Sequence, residues 1–220
     1  MGETKQARKQ IAYDHIKGKI LSCEYEPGSY LNEQSLCEEL GLSRTPVRDA
    51  LSRLEQEGLL AIMPKKGIQV SDLKLGDINR IFEVRLLLEP YALRRYGEKL
   101  NREKLEEFRN VMSSVDLHEH NAQYFYDLDD QFHRLIIQAM NNRYLAETYD
   151  NIKNLNRRLR VLSGSRVENR IAATSREHIE IISLCLERRW EDAVNALTRH
   201  LESSRVASFH LLIGEDEDTF

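Results

Sequence analysis

Cysteine, proline, aromatic residues and long apolar runs are all scarce in this chain of 220 residues. The three cysteines, Cys23, Cys37 and Cys185, are an odd number without a CxxC pair, which argues against a disulfide framework and a thiolate zinc site. No apolar run approaches the roughly 18 residues of a membrane span, and the first residues lack a signal-peptide core. We therefore expect a reduced, cytoplasmic protein without a membrane partner.

An excess of positive charge is also missing, because the formal net charge is −4. Residues 1–70 hold ten Lys and Arg against ten Asp and Glu, so the bulk charge does not indicate a nucleic-acid binder. A local basic face can still bind DNA, since the distribution of charge, not its sum, sets the field at a surface.

A pattern typical of a helix-turn-helix occupies residues 33–54. Glu33 to Leu40 predicts a helix, Gly41 the left-handed residue that ends it, and Ser43 the cap of the next helix. In that second helix apolar residues recur at 47, 50, 51 and 54, which is the spacing of one buried face. The opposite face carries guanidinium and hydroxyl groups that suit phosphates and guanine edges, namely Arg44, Thr45, Arg48 and Ser52.

Two strand-like segments follow, at residues 59–62 and 67–70, around a turn formed by Pro64, Lys65, Lys66 and Gly67. A helix-turn-helix followed by such a hairpin is a winged helix. Lys65 and Lys66 would then lie on the same basic face as the arginines of the second helix.

Beyond residue 71 the composition changes to one with a single proline, Pro90, and few glycines, which predicts an all-helical domain. Helices are expected at about 75–97, 101–119, 121–140, 142–163, 167–188 and 190–212. The predicted fold is therefore mostly α. It has a winged helix-turn-helix in residues 1–71, an all-α bundle of about six helices in 72–213 and an acidic tail in 214–220.

Four side chains of the helical domain have the spacing of a possible metal site. Asp129 and His133 are four residues apart on one predicted helix, so they emerge on the same face. His178 and His200 lie on two successive helices that can pack antiparallel. Together the four can converge as a site for a first-row metal, or the histidines can be hydrogen-bonded core residues.

The winged-helix segment resembles a known family. The run from Leu42 to Leu51, LSRTPVRDAL, with Glu26-Pro27-Gly28 before it and Glu57-Gly58-Leu59-Leu60 after it, resembles the N-terminal domain of the GntR family of bacterial transcription regulators. The resemblance implies contacts of Arg44 and Arg48 with operator DNA and a place for Gly67 in the minor groove. Gln34 departs from the pattern, since many members have an arginine there. The DNA-binding residues expected are Ser43, Arg44, Thr45, Arg48, Ser52, Lys65, Lys66 and Gly67.

Residues 75–205 resemble the all-helical effector domain, called FCD, of one GntR subfamily. The landmarks are Glu83-Val84-Arg85 with Glu89, the run Asp129 to Leu135, Glu177-His178 and His200-Leu201. In metal-containing members the ligands stand at the places of Asp129, His133, His178 and His200. The resemblance implies a divalent metal ion, zinc first, with nickel, manganese or iron as alternatives.

A divalent ion held by one carboxylate and three neutral imidazoles leaves a local charge of about +1, which suits a small carboxylate metabolite. Arg85 is the expected clamp for that carboxylate; its alternative role is an ion pair with Glu89, four residues on. Both roles stay open at this stage.

The leading functional hypothesis is a homodimeric transcription regulator that binds a palindromic double-stranded DNA operator. We expect a repressor, the commoner type of regulator in such families, whose DNA binding responds to the carboxylate effector. One alternative is a metal-dependent helical-bundle enzyme. Neither a Glu-x-x-His pair nor a His-Glu-x-x-His motif is present, so we expect no enzyme. The other alternative is a regulator whose helical domain only dimerises.

Overall fold

A computed structural model of the chain describes residues 2–64, 66–114, 122–162 and 168–213. The chain divides into two compact units, Met1–Lys74 and Leu75–Phe220. Several predictions fall outside the described residues: the wing residue Lys65, the acidic tail 214–220, and the parts of predicted helices at 115–121 and 163–167. No helix in the described part of the chain is both long and apolar enough to cross a membrane.

The described residues of the first unit form three helices and a small sheet. Its elements in order are α1 (Gly2–Leu21), β1 (Tyr30–Leu31), α2 (Glu33–Leu40), α3 (Arg44–Gln56), β2 (Leu60–Met63) and β3 (Gly67–Val70). The strands lie in the order β1-β3-β2, and both pairs are antiparallel. The strand β1 was not predicted, because two residues are too few to show an alternating pattern.

The helix-turn-helix forms for the reasons that the sequence suggests. Asn32 caps α2, since its side-chain oxygen accepts hydrogen bonds from the backbone N–H groups of Gln34 and Ser35. Gly41 ends α2 in the left-handed region at φ 61°. Ser43 occupies the N-cap position of α3 as predicted, but its side chain makes no capping hydrogen bond within the described structure.

The core of the first unit confirms the predicted periodicity. The apolar residues of the buried face of α3 are at most 2% exposed, namely Val47, Ala50, Leu51 and Leu54. They pack with apolar side chains of α1 and of both wing strands, namely Ile16, Ile20, Leu60, Ile68 and Val70. Burial of this single face turns the opposite face of α3 toward solvent.

The described part of the second unit consists of six α-helices, which confirms the predicted mostly α fold. They are α4 (Leu75–Tyr96), α5 (Arg102–Ser114), α6 (Ala122–Gln138), α7 (Arg143–Leu162), α8 (Glu168–Leu186) and α9 (Trp190–Ile213), with a short 3-10 helix at Gly97–Lys99. Helix α9 packs against both α4 and α8. Their apolar faces enclose a core that includes Phe132, Ile181, Ile182, Leu197 and Leu201.

Left-handed residues and a side-chain cap mark where some of these helices end and begin. Asn141 and Arg188 adopt left-handed conformations, with φ of 50° and 60°, where the sequence predicts α6 and α8 to end. Asn142 caps α7 through its side-chain oxygen, which accepts from the backbone N–H groups of Tyr144 and Leu145.

Gly97 lies directly against the ring of Trp190. A Cβ added at Gly97 would be 2.6 Å from Trp190 Cε3. Gly97→Ala should therefore destabilise the protein by about 1 to 3 kcal/mol through overpacking. Gly76→Ala is the matched control, because its added Cβ meets only Arg80 Nη1, at 3.9 Å. Urea denaturation midpoints measure both effects, and equal midpoints for the two variants would contradict the packing argument.

Candidate functional site

The exposed face of α3 presents the residues predicted to contact DNA. Ser43, Arg44, Thr45, Arg48 and Ser52 are all exposed. The side chains of Arg44 and Arg48 are 69% and 64% accessible. Two guanidinium groups near the N-terminus of a helix, with hydroxyl side chains on the same face, can donate to phosphate oxygens and to guanine edges.

Glu33, the first residue of α2, lies beside both arginines. Its Oε2 accepts from Arg48 Nε at 2.8 Å, and its Oε1 is 3.9 Å from Arg44 Nε. Exposed pairs of this kind contribute only about 0 to 1 kcal/mol, so either arginine can exchange Glu33 for a phosphate. Gln34, the residue that departs from the expected pattern, donates to Glu38 of its own helix at 3.0 Å.

The wing presents Lys66 and Gly67 to solvent. Gly67 has φ 102°, a conformation that side chains rarely adopt, and it pairs with Met63 across the β2–β3 hairpin. Any side chain at this position would strain the backbone, so the position favours glycine. The predicted partner Lys65 lies outside the described residues.

The three histidines of the predicted metal site converge in the second unit. The Nε2 atoms of His133 on α6, His178 on α8 and His200 on α9 are each 3.2 Å from the other two. Asp129 Oδ1 lies 3.7 Å from His133 Nε2 and 3.6 Å from His178 Nε2. The histidines are 1 to 2% exposed, so the four predicted side chains form one buried cluster.

Carboxylates behind the cluster fix the direction of two rings. Glu89 on α4 lies 2.6 Å from His133 Nδ1, and Glu177 on α8 lies 2.6 Å from His200 Nδ1. A carboxylate only accepts hydrogen bonds, so each Nδ1 carries the proton and leaves the lone pair of Nε2 pointing into the cluster. Histidine metal ligands typically have such a partner behind them.

The spacing of the nitrogen atoms fits a metal ion. The centre of a triangle with 3.2 Å sides lies about 1.8 Å from each corner, so the three nitrogens could hold an ion with Zn–N bonds of about 2.0 to 2.1 Å. Asp129 could supply an oxygen ligand through Oδ1, while its Oδ2 accepts from Arg160. Converging lone pairs repel one another, and a cation at their centre would remove that repulsion.

The pKa shifts of Asp129, His178 and His200 suit a cation, whereas that of His133 does not. Burial lowers the pKa of His178 well below its usual value and also lowers that of His200. For His133 burial acts in the same direction, but the charge of Glu89 outweighs it and the pKa is raised. Burial opposes ionisation of Asp129, yet Arg160 and His133 hold its pKa well below the ordinary value. Metal binding needs an ionised carboxylate and neutral imidazoles.

Arg85 forms the ion pair with Glu89 that was expected as the alternative to binding a carboxylate ligand. Its Nε donates to Glu89 Oε1 at 2.7 Å, and both side chains are buried. Tyr149 Oη donates to the same oxygen at 2.7 Å, while the other oxygen of Glu89 serves His133. Burial opposes the ionisation of Glu89, but Arg85 and His133 lower its pKa to about 2. Glu89 thus ties Arg85 to the histidine cluster.

A cavity of about 90 Å³ adjoins the cluster. Its charged or titratable lining residues are Arg85, Asp129, Arg160 and His178. Further polar groups come from Asn156, Thr174, Ser175, Ser204 and Ser208, and apolar side chains such as Phe82, Phe125, Met112 and Ile171 line the rest. Placed polar groups beside an apolar wall are the usual features of a pocket that holds a small organic ligand.

Three participants in this site were missed by sequence reasoning. The residue pattern identified Glu89 only as a partner of Arg85 and Glu177 only as a neighbour of His178, and it did not single out Arg160. A signal for Glu177 did exist, because it precedes His178 and lies on the helix already paired with that of His200. Arg160 stands in an ordinary arginine-rich helix, and nothing in the residue pattern marks it.

A winged helix with an arginine-bearing recognition face, followed by a helical bundle, is the arrangement of a DNA-binding transcription regulator. The family models agree with that class. The model described as "Bacterial regulatory proteins, gntR family" matches residues 8–70, and the FCD domain model matches residues 80–203, more than half of the chain. The chain belongs to the GntR family of bacterial regulatory proteins, in the branch that carries an FCD domain.

Relatives and solved structures show the same relationship. The HTH-type transcriptional repressor RspR of Escherichia coli (strain K12) is 27% identical over 205 residues, which cover 92% of this chain and 89% of the relative. A crystal structure described as a GntR transcriptional regulator from Rhodococcus sp. RHA1 has a TM-score of 0.75 at 19% identity, covering 92% of this chain and 97% of that one. An FCD domain solved with Zn²⁺ bound has a TM-score of 0.55 at 23% identity, covering 66% of this chain and 99% of that one.

These matches establish the class of function. The chain is a transcriptional regulator, as the resemblance implied, and regulators of this family bind DNA operators. The families and the relative are regulators and not enzymes, which confirms the expectation that the chain is no enzyme.

Proposed function

We propose that this regulator is a repressor whose operator binding is modulated by a small carboxylate, held at a divalent metal ion in the helical domain. The single observation that carries the proposal is the convergence of three histidine nitrogens, 3.2 Å apart, beside Asp129 and a cavity. Three Nε2 lone pairs and a carboxylate oxygen are the donors that first-row metals take in helical bundles.

The ligands would be Asp129, His133, His178 and His200. Nitrogen and oxygen donors admit zinc, nickel, manganese or iron. Zinc is favoured because an FCD domain of the same fold has been solved with Zn²⁺ bound. A divalent ion in this site would act as a Lewis acid that attracts an anionic effector.

The carboxylate would enter through the adjoining cavity. Arg85 lines that cavity and is held in place by Glu89, so its remaining N–H groups can clamp a carboxylate without further ordering. Ligand and operator binding are coupled only if the acid has different affinities for the free and the DNA-bound forms.

The DNA contacts would come from α3 and the wing. Arg44 and Arg48 would read base edges or phosphates, while Ser43, Thr45, Ser52, Lys66 and Gly67, together with Lys65, would contact the backbone and the minor groove. A homodimer would place two such heads on half-sites about one helical turn apart in a palindromic operator. Sedimentation of the free protein and of its operator complex measures that assembly.

Arg48→Ala should weaken specific operator binding by about 1 to 3 kcal/mol, or about 5- to 150-fold, because one guanidinium contact is lost. The operator can be selected from a random duplex library with the wild-type protein, and affinities can be measured by fluorescence anisotropy at fixed salt. Arg199→Ala is the control, since Arg199 is equally exposed and pairs with a single carboxylate, Glu180, in the helical unit. Unchanged affinity for Arg48→Ala would remove Arg48 from the DNA contact surface.

The effect of the effector is tested with the same selected operator. Zinc-loaded protein is titrated onto the DNA with and without a panel of small carboxylic acids. The proposal expects at least one acid to release the DNA, and the release should depend on zinc. If no acid changes the affinity although zinc is bound, the helical domain serves dimerisation alone.

A further inference from the structure

A single carboxylate, that of Glu33, serves both arginines that α3 presents to solvent. Its Oε2 accepts from Arg48 Nε at 2.8 Å, and its Oε1 lies 3.9 Å from Arg44 Nε. The Glu33 side chain is 27% accessible, against 69% for Arg44 and 64% for Arg48. Glu33 therefore lies behind the guanidinium groups, on the side of the protein, and leaves their outer parts to the solvent.

The start of α2 fixes the position of Glu33. Asn32 caps this helix, since its side-chain oxygen accepts from the backbone N–H groups of Gln34 and Ser35. Glu33 is the first residue of the capped helix, where the helix dipole favours a negative charge. The carboxylate is thus attached to a well-defined piece of backbone.

The acid nearest to Arg48 in the sequence has a different partner. Asp49 follows Arg48 on α3, but its carboxylate pairs with Lys9 of α1 at 2.7 Å. Among the described residues, Glu33 is the carboxylate within ion-pair distance of Arg48. The counter-charge of the predicted recognition arginine therefore comes from the neighbouring helix and not from its own.

The contact with Glu33 suits one kind of DNA group better than another. A guanidinium has one N–H on Nε and two on each Nη. Glu33 takes the Nε of Arg48, so the fork formed by Nη1 and Nη2 is the part that can donate to O6 and N7 of a guanine. A phosphate instead competes with Glu33 for the positive charge and brings a second negative charge beside the carboxylate.

This competition would act most strongly on DNA without an operator. On such DNA the arginines contact only phosphates, and non-specific sites vastly outnumber operators in a genome. An exposed ion pair changes an equilibrium by up to about fivefold. A penalty on the wrong partner raises specificity without any new contact to the right one.

We propose that Glu33 is a specificity-determining residue of the DNA-binding unit. It holds Arg48 by Nε, leaves the Nη1–Nη2 fork for a guanine, and disfavours binding to phosphates alone. The inference rests on the proposed function, because it takes Arg48 to be a DNA contact. Glu33 is a positioning residue, since it acts through Arg48 and not on a base.

The test compares Glu33→Gln with wild-type protein, both as the full chain, by fluorescence anisotropy at fixed salt. The probes are the operator selected with wild-type protein and a scrambled duplex of the same length and base composition. Glu33→Gln should bind the scrambled duplex about two- to fivefold more tightly. Its operator affinity should gain less, so the ratio of operator to scrambled affinity should fall at least about twofold.

The ratio separates this role from simpler ones. Both duplexes are titrated with the same protein, so any loss of folded protein cancels. A carboxylate that merely repelled DNA would change both affinities alike and leave the ratio at the wild-type value. Glu38→Gln is the matched control, because it removes one charge from the same helix, where Glu38 accepts from Gln34 at 3.0 Å. It should keep the wild-type ratio.

A double variant tests whether Glu33 acts through Arg48. In the Arg48→Ala background, Glu33→Gln should change the ratio less than it does in wild-type protein, because the side chain that Glu33 positions is gone. An equally large change in that background would overturn the action through Arg48.

The remaining outcomes distinguish this inference from the proposed function. Operator affinity unchanged in Arg48→Ala would overturn the proposed DNA contact itself. If Arg48→Ala weakens operator binding but Glu33→Gln keeps or raises the ratio, the role of Glu33 is overturned and the DNA contact stands. The same fall of the ratio in Glu38→Gln would assign it to net charge and would also overturn the role of Glu33.

Discussion

Zinc, added at about a thousand times its dissociation constant, is expected to stabilise the folded protein by about 4 kcal/mol. For a domain of this size such a gain raises the Tm of the helical unit by about 8 to 16 °C. The reason is that the three histidine nitrogens and Asp129 come together only in the folded chain, so the ion binds the native state in preference to the unfolded one. Differential scanning calorimetry with and without zinc measures the shift.

His178→Ala should abolish this stabilisation and the stoichiometric uptake of zinc. His178 has contacts with both other histidines, 3.2 Å away in each case, so its loss opens the centre of the cluster. His15→Ala is the control, because His15 lies in the first unit and pairs with Glu39 at its surface. A wild-type Tm that does not move with zinc, or nickel, would mean that the histidines are hydrogen-bonded core residues.

Glu89→Ala is expected to destabilise the helical unit by about 3 to 5 kcal/mol. Glu89 is 0% exposed and accepts hydrogen bonds from Arg85, His133 and Tyr149. Removing it leaves the buried guanidinium of Arg85 without its counter-charge and the phenol of Tyr149 without its acceptor. An uncompensated buried charge costs far more than the attraction within the pair contributes.

The measurement is urea unfolding followed by circular dichroism, with Glu180→Ala as the control. Glu180 also pairs with an arginine, Arg199 at 2.9 Å, but both side chains are more than half exposed. Its removal should cost no more than about 1 kcal/mol. Similar losses for the two variants would show that Glu89 is not the counter-charge that the geometry indicates.

The first unit could be predicted from the sequence because its signals are local. The spacing of Val47, Ala50, Leu51 and Leu54 fixes which face of α3 is buried, and Gly41 fixes where α2 ends. These two features alone place Arg44 and Arg48 on the exposed face. The contact of Glu33 with both arginines was not predictable, since it depends on the angle between α2 and α3.

The metal cluster was predictable only in part. Asp129 and His133 share a face because of helical geometry, but their meeting with His178 and His200 depends on how three helices pack. The resemblance to the FCD domain supplied that long-range information. The roles of Glu177 and Arg160 depend on side-chain directions across helix pairs, which periodicity does not encode.

The deep position of the histidines has a consequence for timing. Their rings are at most 2% exposed and belong to α6, α8 and α9, and Asp129 and His178 also line the cavity. An ion held there would exchange with the solvent only through that cavity or when the helices part locally. We therefore expect the exchange of a bound ion to be slow compared with that of an ion on the protein surface.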